Sequence, residues 1–101
     1  MVESSYAIRF SKPAYRHLET FMRFDRNRIL DNIKKQLIYR PNEETRNKKL
    51  LRKNPLADWE LRVDPYRVFY DIDETKRTVR ILAIGIKDHE KIIIDGEEII
   101  I

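Results

Sequence analysis

In "YAIRF", residues 6–10, apolar and polar positions alternate among β-rich residue types, which predicts a short strand. Ser11 follows with a side-chain oxygen suited to an N-cap, and Pro13 falls in the first turn, where its missing N–H costs nothing. The period then lengthens. Ala14, Leu18, Phe21 and Met22 recur at i, i+4, i+7 and i+8, one face of a helix that leaves Arg16, Glu19 and Arg23 towards water. A second helix is expected with Asp25 as its cap and Ile29, Leu30, Ile33, Leu37 and Ile38 as its apolar positions. It ends before Pro41, because a proline disfavours helical geometry at Arg40. The two helices form a hairpin.

From Pro41 to Pro55 the periodicity disappears. "PNEETRNKKLLRKNP" reads as a loop or irregular crossing with little regular structure. Three β-rich segments follow, at roughly 57–63, 66–73 and 77–86, joined by "DP" and by the turn "DETK". In the last of them Val79, Ile81 and Ala83 are expected on one face and Leu82, Ile84 and Ile86 on the other, which marks a central strand buried on both sides. The tail "KIIIDGEEIII" is either a hairpin around Asp95-Gly96 or a strand followed by a segment that orders only against a partner. The expected fold is α+β, one domain over residues 1–101, with the helical hairpin on one face of a mainly antiparallel sheet of about four to five strands.

A chain of 101 residues and 12.3 kDa has room for one core and is short for two. Cysteine is absent, which excludes disulfides, thiolate metal sites and a cysteine nucleophile. Two glycines, Gly85 and Gly96, cannot form a glycine-rich phosphate loop, so nucleotide-driven chemistry is not expected. No apolar run approaches the roughly 20 residues needed to span a bilayer, and the N-terminus has no basic segment followed by an apolar stretch. A cytoplasmic location without membrane association is the expectation. Lys and Arg outnumber Asp and Glu by 21 to 17, a net charge of +4 that favours an acidic partner such as nucleic acid.

Candidate chemistry concentrates in "WELRVDPYRVFYDID", residues 59–73. Trp59, Leu61 and Val63 share a face, which leaves Glu60 and Arg62 opposite; Tyr66, Val68, Tyr70 and Ile72 likewise oppose Arg67, Phe69 and Asp71. If the apolar sets meet the helices, Arg62 and Arg67 lie together on the free face. Guanidinium grips phosphate through paired N–H donors and stays charged, so such a pair can stabilise the charge that develops when a phosphodiester is attacked. The alternative is a solvated face with cross-strand ion pairs to Glu60 and Asp71. Arg46, Lys48, Lys49, Arg52 and Lys53 could track an RNA backbone, or serve only to solubilise the loop. Asp71, Asp73 and Glu74 are carboxylates at a hairpin turn, with no distant third ligand in suitable spacing, and neither metal nor cofactor is expected.

Lys48-Lys49-Leu50, the strand Trp59 to Val63, the strand Tyr66 to Tyr70, and Ile81 to Gly85 followed by Lys87, His89 and Lys91 together resemble the RelE/ParE superfamily of type II toxins. With the helical hairpin in front of them, the resemblance covers nearly the whole chain. In its RelE-like branch, the one the sequence favours, it implies a metal-independent, ribosome-dependent endonuclease that cuts mRNA through attack of the 2′-hydroxyl on its own phosphate and so inhibits translation. Carried over by position, Arg62, Arg67 and Lys87 would hold the phosphate, and His89 would move a proton in place of the C-terminal tyrosine of that branch. Two departures stand out. Glu60 occupies a position that is often basic, and the tyrosine position falls within Ile92 to Ile94. The ParE-like branch implies instead a non-enzymatic toxin that poisons DNA gyrase. Either branch implies a cognate antitoxin and a toxin–antitoxin hetero-oligomer; the first adds ribosome and mRNA as partners.

Overall fold

The computed structural model describes residues 4–101. Strand β1 (Ala7–Phe10) leads into helix α1 (Lys12–Glu19) and helix α2 (Arg23–Leu37), and six strands follow: β2 (Lys48–Leu50), β3 (Trp59–Val63), β4 (Tyr66–Asp73), β5 (Thr78–Asp88), β6 (Lys91–Ile94) and β7 (Glu97–Ile99). The expected capping holds at α1. Ser11 Oγ accepts from the Ala14 N–H at 3.1 Å, and it also donates to the Leu82 carbonyl, which ties the helix start to β5. At α2 the N-cap is Met22 and not Asp25, which sits inside the first turn. Met22 consequently faces solvent, 79% exposed, although helical spacing had placed it with the core.

The sheet runs β2-β3-β4-β5-β6-β7 with antiparallel neighbours, and β1 lies parallel beside β5. It is wider than the expected four to five strands. The basic stretch read as a loop contributes β2, whose three residues pair with Trp59 to Leu61. The tail resolves as a hairpin, with Asp95 and Gly96 both at positive φ, the backbone that a tight two-residue turn requires.

β5 is central, yet strict alternation does not describe it. Phe69 pairs with Ala83 and Tyr70 with Ile81, so Leu82 is an extra residue that bulges and reverses the faces beyond it. Val79, Ile81 and Ile84 therefore all belong to the main core with Ile29, Ile33 and Leu37 of α2. Ala83 turns the other way and joins Phe69, Ala57, Ile92 and Ile94 in a second cluster. The face opposite the helices is thus partly roofed by residues 51–57 and by the β6-β7 hairpin. Gly85 permits this: a Cβ there would lie 2.8 Å from the Ile93 carbonyl oxygen and 2.8 Å from a side-chain carbon of Ile94.

On one edge of β5, β1 pairs as far as Ile81 and β6 begins opposite Ile86, leaving a gap. Side and main chains from the helical side fill it. The Ser11 N–H donates to the Ile81 carbonyl, and buried His17 accepts the Ile84 N–H on Nδ1 at 3.2 Å. Desolvation by burial lowers the His17 pKa, in keeping with a neutral ring protonated on Nε2. Tyr70, whose pKa is raised by burial, donates its hydroxyl to the Pro41 carbonyl and anchors the segment after α2. No helix among the described residues is long and apolar enough to cross a membrane.

Candidate functional site

A groove of about 530 Å³ opens on the face of the sheet away from the helices, between β2-β3 on one side and β5-β6 on the other. Lys49, Arg52 and Lys87 are its cations, Glu60 and Glu90 its carboxylates, and Ile92 contributes apolar surface. Register explains the set. Lys49 stands opposite Glu60, which stands opposite Phe69, so these three side chains point away from the helices. Lys87 stands opposite Ile92 at the far end of β5. None of the three cations makes an ion pair among the described residues, although two carboxylates line the same groove. The groove can therefore take an anion, with the acidic pair limiting how much negative charge it tolerates.

The remaining candidates are dispersed. Arg62 and Arg67 are register partners, as strand alternation predicts, and Arg62 is exposed. Arg67 differs: it is only 4% exposed. Its guanidinium donates to Asp64 Oδ1 and to the Tyr66 carbonyl, each at 2.8 Å. Held this way it is charge-compensated from within the chain and is not displayed on an open face beside Arg62. The reason is local, since its partners on either side are exposed Arg62 and Gly85, the residue over which the β6 backbone passes.

Lys48 requires a similar correction. Opposite Leu61 it points towards the helices, is buried, and donates its ammonium to the carbonyls of Gln36 at 3.2 Å and Arg40 at 2.6 Å. It caps the C-terminal end of α2 and cannot reach an RNA backbone. Burial lowers its pKa, the ordinary effect of desolvating a cation. Its neighbour Lys49 points the other way, into the groove. Arg46 and Lys53 are exposed but do not line the groove.

His89 is also outside it. The residue occupies a tight turn at φ 58°, its side chain 93% exposed and paired through Nδ1 with Asp88 Oδ1 at 2.8 Å. The lining of the groove contains neither histidine nor tyrosine. Its side-chain carboxylates are Glu60 and Glu90. The sequence marked Glu60 as an ion-pair partner for the arginines and as a departure but gave no sign of Glu90, although strand alternation and the Asp88–Lys91 turn place both on this side. Asp71 and Asp73 accept from backbone N–H groups of Asp58 and Lys76, and no three His, Cys, Asp or Glu side chains among the described residues converge as a metal site would require.

Residues 8–90 match the family described as "ParE toxin of type II toxin-antitoxin system, parDE". This chain belongs to the ParE toxin family. The match spans the sheet from β1 through β5, including Lys49, Arg52, Glu60 and Lys87 of the groove. The toxin is similar in fold to a chain in the crystal structure of the toxin–antitoxin complex RelBE2 from Mycobacterium tuberculosis, with a TM-score of 0.66 and 24% identity. That likeness covers 82% of this toxin and 99% of the other chain. Among curated proteins no sequence matches. The toxin is thereby placed in the RelE/ParE superfamily, with the α+β architecture common to it.

Proposed function

We propose that this toxin acts by holding its target and not by cutting RNA, and that DNA gyrase is that target, as the ParE-like branch implies. One observation carries the reading. Arg67, the arginine that a nuclease mechanism would place on the scissile phosphate, is buried against Asp64 and the Tyr66 carbonyl. A buried arginine already satisfied in this way would have to leave its partners to serve an incoming phosphate, which sacrifices charged hydrogen bonds worth roughly 1.5–3 kcal/mol each. The groove also offers no imidazole or phenol to relay protons. The RelBE2 complex supports a cognate antitoxin as the silencing partner, one whose extended or helical segment covers the groove or adds to a sheet edge. The test is gyrase acting on plasmid DNA with the purified toxin. Accumulation of cleaved, gyrase-linked DNA is expected, and undisturbed supercoiling at toxin excess would refute the reading.

The second reading is the ribosome-dependent mRNA endonuclease. Its support is Lys49, Arg52 and Lys87, three cations free of ion pairs around one groove. In that mechanism these residues would grip the phosphate, and Glu60 or Glu90 would take the 2′-hydroxyl proton.

A further inference from the structure

A separate recess of about 270 Å³ lies towards the other end of the sheet, lined by Arg9, Lys76, Thr78, Arg80 and Asp73. Arg9 of β1 and Arg80 of β5 are register partners in the parallel pair, so their side chains leave the same face from adjacent strands. Like charges placed directly opposite repel, and a sheet usually relieves this with a carboxylate. Two carboxylates stand within reach of doing so. Asp71 is the antiparallel partner of Arg80, but its Oδ1 accepts the Asp58 N–H at 2.6 Å. Asp73 lines the recess, but its Oδ1 accepts the Lys76 N–H at 3.0 Å. Among the described residues neither guanidinium nor the Lys76 ammonium makes an ion pair or side-chain hydrogen bond.

Three exposed cations therefore surround a recess lined by one carboxylate, Asp73, whose Oδ1 accepts from the turn backbone, so positive charge is in excess there. Two of them are guanidinium groups side by side, the geometry that accepts phosphate oxygens through parallel N–H donors. From Arg80 to Lys87 the strand covers roughly 23 Å at about 3.3 Å per residue, so this recess is distinct from the groove. We propose that Arg9 and Arg80, aided by Lys76, form a contact site for the phosphodiester backbone of nucleic acid. The site reads no sequence; it holds the toxin on nucleic acid by charge and fork geometry.

The test uses the purified full chain with fluorescently labelled 20-mers, one duplex DNA and one single-stranded RNA, titrated over a range of salt. The Arg9→Gln/Arg80→Gln variant is compared with wild type and with Lys34→Gln/Lys35→Gln, which removes the same net charge from the exposed face of α2. Loss of two phosphate contacts should weaken binding about tenfold at low salt. It should also make the plot of log affinity against log salt shallower by about 1.8 for duplex DNA or 1.4 for the single strand. The nucleic acid that shows this change is the one the site serves. Because the substitution removes a repulsive pair, the variant should melt no lower than wild type. Affinity and slope unchanged on both probes, or a loss no greater than the α2 control shows, would overturn the proposal. So would a lowered melting temperature without a binding change, which would mark the arginines as structural.

Discussion

Replacing Lys48 with methionine keeps most of the side-chain volume and removes the ammonium that meets the Gln36 and Arg40 carbonyls. Hydrogen bonds to a charged donor contribute roughly 1.5–3 kcal/mol each, and a cation near a helix C-terminus adds roughly 0.3–1 kcal/mol. Against this stands the cost of keeping an ammonium out of water, which the lowered pKa of Lys48 registers. The balance is a loss of about 2 kcal/mol for Lys48→Met, or a fall in melting temperature of roughly 8–16 °C in a domain of this size. Lys49→Met, one residue along and facing the groove, should stay within about 0.5 kcal/mol of wild type. Urea unfolding followed by the fluorescence of Trp59, the single tryptophan, stacked on Tyr70 with ring centroids 6.0 Å apart, reads both variants. Equal effects at the two positions, or a Lys48→Met variant as stable as wild type, would refute the assignment of opposite roles to these neighbours.

His17 makes stability depend on pH. Its folded pKa lies below the ordinary 6.5, so the unfolded chain binds the proton more readily. The stability it contributes is complete above about 6.5 and is lost as pH falls from there towards the lowered folded value. The urea midpoint should drop on acidification through that window, and the drop should shrink in His17→Gln. Gly85→Val should destabilise by roughly 1–3 kcal/mol or more in the same assay, since the new side chain meets the Ile93 backbone. Arg67→Ala should cost about 2 kcal/mol, because it strips a donor from the Tyr66 carbonyl and leaves a void; a variant with wild-type stability would argue that the guanidinium is free after all.

Much of this architecture was legible in the chain. Ser11 and Pro13 announced the start of α1, the spacing of Ile29, Ile33 and Leu37 gave the buried face of α2, and Asp95-Gly96 offered the hairpin that forms. What escaped depended on partners distant in sequence. β2 has three residues and no pattern of its own; it is a strand because β3 pairs with it. The direction of Lys48 follows from that pairing, and a run of basic residues cannot reveal that one of them closes a helix. The bulge at Leu82 inverts faces within β5 without any glycine or proline to mark it. Alternation correctly put Arg62 and Arg67 side by side but assumed the face beyond them to be open, whereas Phe69, Ala83, Ile92 and Ile94 build a second apolar cluster there. The place of His17 could not be read from the chain, since the gap it fills exists only once β1 and β6 have both docked on β5.

The claim that the toxin holds and does not cut is tested most directly by primer extension on a reporter mRNA translated in a purified system, with the toxin added at increasing amounts. Full-length products without toxin-dependent stops are predicted, even at amounts that arrest cell growth. Cuts confined to translated codons, and abolished when Lys49 and Lys87 are replaced by glutamine, would contradict the account and establish the groove as a ribonuclease site.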